Sequence, residues 1–200
     1  MLAWLLPPAC VACNRLLRPD AQRGLCSSCL AELVPTEPGS IGQFSHEGPL
    51  RRALRALKYD RDLSRVGPLA DVVALALSGS RFDLATAVPL HPRRQRRRGF
   101  NQSELLLRRA LRSAGITPPV SLLRRTRATP PQVGLPAARR RDNVAGAFAI
   151  RPGAAPSVRG RTVLLFDDVI TTGSTLRAAA APLCAAGAQV TYLALLQAVA

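Results

Sequence analysis

Residues Val163 to Thr175 read Val-Leu-Leu-Phe-Asp-Asp-Val-Ile-Thr-Thr-Gly-Ser-Thr, and they leave few folds open. Four consecutive apolar residues suit a central parallel strand buried on both faces. Two acids follow, then hydroxyl residues around one glycine, then Leu176 to Ala186, whose pattern predicts a helix. Such a loop cradles an anion. Gly173 lets the backbone approach, the successive N–H groups and the hydroxyls of Thr171, Thr172, Ser174 and Thr175 donate to phosphate oxygens, and the helix dipole favours the charge. Asp167 and Asp168 cannot serve a phosphate; they suit sugar hydroxyls, as acceptors, or the placing of Mg²⁺. A Walker loop is excluded, because Gly-Lys-Ser/Thr does not occur. Ordinary capping explains less, since it needs one hydroxyl and no acid pair.

The remaining pattern alternates. Leu50 to Tyr59, Pro68 to Leu77 and Ser103 to Ser113 carry apolar residues at helical spacing, while Leu84 to Val88 and Val190 to Leu196 read as strands. That alternation predicts an α/β sheet with ligands at the carboxyl ends of its strands. Two hundred residues, 48% apolar but only 4% aromatic, suffice for one substantial core of Ala, Leu and Val plus a small appendage. Residues Ala178 to Ala200 are uncharged, but Pro182, Gly187, Gln189, Thr191 and Gln197 argue against a membrane span and for a buried helix and strand. No charged region precedes the first apolar stretch, so the chain reads as cytoplasmic. Cys184 reads as a small core residue.

Four further cysteines form Cys10-x2-Cys13, twelve residues, then Cys26-x2-Cys29. That spacing matches a zinc ribbon better than a disulfide pair or a redox motif. Four thiolate ligands leave no open position, so the zinc would be structural, folding a segment too small for its own core. Asn14 suits the left-handed residue that follows such a turn. The expected organisation is a ribbon over residues 1–38, a linker over 39–49 and an α/β domain over 50–200, with His46 a solvated linker residue.

Of the 28 basic residues all but Lys58 are arginine, against 12 acids. The charge is concentrated: residues 93–141 hold fourteen Arg and one acid, Glu104, whereas residues 1–50 are near neutral. A polyanionic partner is one reading of this concentration, and a solvated basic face is the other. Single-stranded DNA held through its backbone is one such partner, but only Phe100 within that stretch could stack on a base.

The Val163 to Thr175 segment resembles the phosphoribosyl pyrophosphate (PRPP) motif of type I phosphoribosyltransferases. Lys58-Tyr59, Val88-Pro89-Leu90-His91-Pro92, Arg98-Gly99-Phe100-Asn101-Gln102, and Gln132 followed by Arg140 to Phe148, together with the four cysteines, extend the resemblance to the ComF/GntX family. The resemblance implies a type I phosphoribosyltransferase core behind a zinc ribbon, in proteins linked to DNA uptake or to use of DNA as a nutrient. It assigns the 5′-phosphate of PRPP to Thr171, Thr172, Gly173, Ser174 and Thr175, and the ribose hydroxyls to Asp167 and Asp168. Val88 to Pro92 becomes a pyrophosphate loop with Arg98 as its charge partner, and Lys58, Arg125 and Arg140 join the PRPP site. Arg124, Arg125, Arg140 and Arg141 flank a Pro-rich segment, Thr129 to Pro136, expected to close over the ligand. Mg²⁺ and a nitrogenous acceptor complete the enzyme reading. The alternative is a non-catalytic PRPP or nucleotide sensor that binds single-stranded DNA, or the competence machinery, through residues 93–141.

Overall fold

The computed structural model describes residues 8–18, 24–37, 39–128 and 144–198. Its strands are β1 (Gly42–Ser45), β2 (Leu84–Ala87), β3 (Leu123–Arg125), β4 (Phe148–Ile150), β5 (Thr162–Ile170) and β6 (Gln189–Gln197). Four of them form a parallel sheet in the order β1-β6-β5-β2, and β3 pairs with β4 as a separate antiparallel ribbon. This is the α/β parallel sheet flanked by helices that the sequence predicts.

The apolar run explains why β5 is central. Val163, Leu164, Leu165 and Phe166 are all buried, yet successive side chains enter different cores, as the twofold period of a strand requires. Leu164 and Phe166 face one core with α2 (Pro49–Arg55), α3 (Val66–Leu77) and α5 (Gln102–Ser113); Val163 and Leu165 face the other with the helix Ser174–Ala185. A run without polar alternation is the cost-free solution only when both faces are covered. Truncating Phe166 to Ala would cost about 3–5 kcal/mol.

Local chemistry places the elements at the carboxyl edge. Asn101 caps α5 by accepting from the Ser103 N–H (3.2 Å), and its side-chain amide donates to the Val88 carbonyl (3.0 Å), fixing the start of α5 to the end of β2. Between them α4 (Pro92–Arg98) opens with Pro92 and a cap from His91 Nδ1, and closes on left-handed Gly99. The sequence pattern does not show α4, because a helix of arginines has no apolar stripe.

Three expectations need correction. Residues 39–49 are not a plain linker: Gly42–Ser45 form β1, the edge strand beside β6. The pairing lies about 150 residues away in sequence, and four residues with one apolar side chain, Phe44, give no periodic signal. Cys184 is exposed rather than in the core. The buried face of its helix is Leu176, Ala179, Ala180 and Leu183, and the residue after Leu183 points about 100° away from that face. His46 lies at the end of β1 and is half-buried, its N–H donating to Gln197 O (2.7 Å).

The cysteine segment shares the main core. Cys10, Val11, Leu17, Leu25, Cys26 and Cys29 pack in one cluster with Leu50, Ala53, Leu54 and Leu57. Arg65, only 9% exposed, clamps it from the other side. Its guanidinium donates to the carbonyls of Cys10 and Val11, to Asn14 Oδ1 (2.7 Å) and to Asp62 Oδ2 (2.7 Å). No helix among the described residues is long and apolar enough to cross a membrane.

Candidate active site

The long strand β5 carries Asp167 and Asp168 to its carboxyl end, where the sheet opens into a cleft of about 730 Å³. Ser103, at the start of α5, donates to Asp167 Oδ1 (3.0 Å), and the Asp168 N–H donates to the same oxygen (2.9 Å). Burial, and then the neighbouring Asp168 charge, nevertheless push Asp167 up to about 7, against the pull of those two donors and of Lys58. Asp168 is 4% exposed. Lys58 Nζ lies 2.8 Å from Asp168 Oδ2, and beyond this ion pair that oxygen has no hydrogen-bond partner among the described residues. A buried carboxylate oxygen with spare acceptor capacity is what a sugar hydroxyl or Mg²⁺ requires.

The hydroxyl loop follows at once. Gly173 has φ +74°, the left-handed region, and a Cβ there would lie 2.7 Å from Arg177 Nη1. Arg177 donates to the Thr172 carbonyl (2.6 Å), and the hydroxyls of Thr172 and Ser174 are 2.7 Å apart. Thr171, Gly173, Ser174 and Thr175 line the cleft, whereas Thr172 does not and serves the loop instead. The first N–H groups of the helix Ser174–Ala185 end at this loop without intrahelical partners, as an anion site needs.

Two basic walls stand on either side. From the β2 edge come Val88, Pro89 and Leu90 with Arg94, Arg97 and Arg98 of α4, joined by Arg125 of β3. From the β1 edge come His46, Arg51 and Arg55, then Lys58 and Tyr59 in the π-helical turn Ala56–Asp60 that extends α2. Arg94, Arg97 and Arg98 share one face of α4 at i, i+3 and i+4, and Arg93 and Arg96 are exposed outside the cleft. Tyr59 joins the walls: the guanidinium carbons of Arg55 and Arg98 lie 5.7 and 5.8 Å from its ring centre. Arg98 also donates to Gln102 Oε1. Burial works against the charge of both Arg98 and Arg125, with Asp168 and Asp167 respectively opposing that effect. His46 is held below its ordinary pKa by burial, by Arg51 and by Lys58, so it is neutral at pH 7.

The structure thus brings together Lys58, Arg98, Arg125, Asp167, Asp168, Thr171, Gly173, Ser174 and Thr175. Arg140, Arg141 and the segment Thr129 to Pro136 lie outside the described residues. Sequence reasoning missed His46, Arg51, Arg55, Tyr59, Arg94 and Arg97. For Arg94 and Arg97 the i, i+3, i+4 spacing within a Pro-opened basic run was an available signal. For the β1-side residues the signal is tertiary.

The four cysteine sulfurs lie within 4.8 Å of one another, with Cys13 and Cys26 Sγ 3.7 Å apart. A tetrahedral Zn–S bond of about 2.3 Å gives edges of about 3.8 Å, so the cluster fits zinc with all four positions filled. Thiols this close do not titrate independently. Burial and hydrogen bonds to Cys26, Cys13 and Cys10 push Cys29 up to about 12, while Cys10, despite the opposing effect of burial, is lowered to about 6 by hydrogen bonds from Cys26, Ala12 and Cys13. Asn14 adopts φ +62°, as its place after Cys13 predicts. Arg52 donates to Cys29 Sγ (3.8 Å), a contact between the cysteine cluster and α2.

The phosphoribosyl transferase domain family model matches residues 110–198, which include the acid pair and the hydroxyl loop. The DNA utilization protein YhgH of Escherichia coli K12 is 32% identical over 186 residues, covering 84% of this chain and 80% of that protein. Competence protein F of Haemophilus influenzae is 36% identical over 185 residues, covering 84% and 75%. A solved structure of the allosteric regulatory enzyme of purine biosynthesis is 20% identical with a TM-score of 0.43, covering 65% of this chain and 26% of that one.

Proposed function

This chain belongs to the phosphoribosyltransferase-domain family of competence protein F and the DNA utilization protein YhgH, and from that premise we propose that its cleft binds PRPP with Mg²⁺ and transfers ribose 5-phosphate to a nitrogenous acceptor, in a role connected with uptake or use of DNA. The observation that carries the reading is a two-carboxylate floor between a hydroxyl loop and an arginine wall, all at the carboxyl end of one parallel sheet. Thr171, Gly173, Ser174 and Thr175 hold the 5′-phosphate, and Thr172 fixes the loop through Ser174. Asp167 and Asp168 accept from the ribose hydroxyls. They would also hold Mg²⁺, which would supply positive charge to the departing pyrophosphate.

In the transfer, the acceptor nitrogen lone pair forms the new bond to the anomeric carbon as the carbon–oxygen bond to pyrophosphate breaks. The bonding pair leaves on pyrophosphate. Arg94, Arg97, Arg98 and Arg125 stabilise that charge as it develops. The proton released by the acceptor nitrogen goes to His46, the neutral imidazole in the cleft.

The test is calorimetric titration with PRPP and Mg²⁺, paired with pyrophosphate release in the presence of a pool of bases and nucleotides. Binding lost in Asp167→Asn and Asp168→Asn supports the site; turnover of PRPP at the wild-type rate by those variants overturns it. A second reading has its own support. Arg93, Arg96, Arg109 and Arg112 are exposed and meet no carboxylate among the described residues, as a surface for single-stranded DNA on a non-catalytic PRPP sensor would. Salt-sensitive DNA binding lost with those arginines, without any acceptor-dependent release, would favour it.

A further inference from the structure

We infer that the β1-side wall of the cleft is the acceptor subsite, and that it takes a nucleoside carrying its own phosphate rather than a free nucleobase. The inference rests on the PRPP reading and adds the chemical class of the second substrate.

Charge is the first argument. The cleft presents Arg51, Arg55, Lys58, Arg94, Arg97, Arg98 and Arg125 against two carboxylates. PRPP has its 5′-phosphate at the hydroxyl loop and its pyrophosphate beside α4, where three of those arginines stand with Arg125. Lys58 is already paired with Asp168. Arg51 and Arg55 are left over: both are exposed into the cleft, and neither meets a carboxylate within ion-pair distance among the described residues. Two guanidiniums side by side in a concave site call for an anion of their own.

The aromatic is the second. Tyr59 is 65% exposed in a cleft wall, and the two guanidinium carbons near its ring leave area for a stacked base. An exposed ring among arginines is a stacking platform that tolerates any base.

The third argument is what the wall lacks. Recognition of a free base needs donors and acceptors aimed at its edges, and a site built that way discriminates strongly. Among the described residues that line the cleft the only side-chain amide is Gln102, whose oxygen already accepts from Arg98. His46, Arg51, Arg55 and Tyr59 offer no carboxylate or amide. What this wall does offer is the Tyr59 ring for stacking and the Arg51 and Arg55 guanidiniums for a phosphate.

The probes are the four common nucleoside 5′-monophosphates, the matching nucleosides and the free bases, titrated into the full-length protein with PRPP and Mg²⁺ present. The result expected is at least one monophosphate bound about tenfold or more tightly than its nucleoside, the size of one charge-assisted contact. Arg51→Ala/Arg55→Ala should erase that difference while PRPP affinity changes less than about twofold. Tyr59→Leu should weaken nucleoside and monophosphate alike. Equal affinity for monophosphate and nucleoside overturns the inference, as does a double variant that loses PRPP and monophosphate together, since the wall would then belong to pyrophosphate. If the wild-type protein binds no PRPP, the proposed function itself falls, and that result is read from the PRPP titration alone.

Discussion

Replacing Lys58 by Met tests the floor of the site more directly than any active-site assay. The ammonium sits 2.8 Å from Asp168 Oδ2, and the two side chains are 17% and 6% exposed. At an effective dielectric of 20 that separation corresponds to about 6 kcal/mol of gross attraction, most of it offset by the desolvation of both ions. The net pair is therefore worth little, but half a pair is costly. Lys58→Met keeps the length and leaves the Asp168 carboxylate buried beside Asp167, for an expected loss of about 3 kcal/mol, the lower end for such a site because the cleft admits water. Asp168→Asn strands a lysine whose long stem can swing into the cleft, at about 1 kcal/mol. The double variant should lie within about 1 kcal/mol of wild type, giving a coupling near −4 kcal/mol. The assay is urea unfolding of all four proteins without ligand, at pH 8 and pH 5. The Lys58→Met loss should shrink at pH 5, where the acid pair takes up a proton and no longer holds two charges. A loss below about 0.5 kcal/mol at pH 8, or an equal loss at both pH values, would refute the reasoning.

Four further outcomes are expected. Gly173→Ala forces a side chain into φ +74° and displaces Arg177 from the Thr172 carbonyl; it should cost about 1–2 kcal/mol in thermal unfolding and weaken PRPP binding by about tenfold or more. Asp167, raised from 3.8 to about 7, binds its proton more tightly in the folded state, so its contribution to stability falls as pH rises from about 4 to about 7 and is then constant. Asp167→Asn should flatten that part of the stability profile, and in wild type PRPP affinity should rise as the carboxylate forms near pH 7. His46→Gln should lower the rate of acceptor-dependent pyrophosphate release by about 100-fold or more with PRPP affinity unchanged, read by calorimetry beside the kinetic assay. Removing metal by chelation, or changing Cys10 to Ser, should lower Tm by roughly 10 °C, because the cysteine segment shares the main core with α2.

Much of the chemistry was legible because it is contiguous. Strand, acid pair, hydroxyl loop and helix occupy neighbouring positions, and each follows from local rules: an apolar run buried on both faces, a left-handed glycine, a helix terminus free to take an anion. The four cysteines are legible for the same reason, since two tight turns at fixed spacing determine which sulfurs meet. The error at Cys184 was also local in origin. Its helix buries Leu176, Ala179, Ala180 and Leu183, and that period leaves position 184 facing out.

The rest was decided by the pairing of distant segments. Gly42–Ser45 have too few apolar residues to announce a strand, and only their addition beside β6 brings His46, Arg51, Arg55 and Tyr59 over the end of β5. Lys58 and Asp168 are 110 positions apart, and Arg65 reaches back to the carbonyls of Cys10 and Val11. Sequence alone identifies which segment takes the phosphate, because one stretch of chain builds that part. Which side chains form the opposite wall depends on strand order and on the direction each helix leaves the sheet, and those are settled only when the whole core packs.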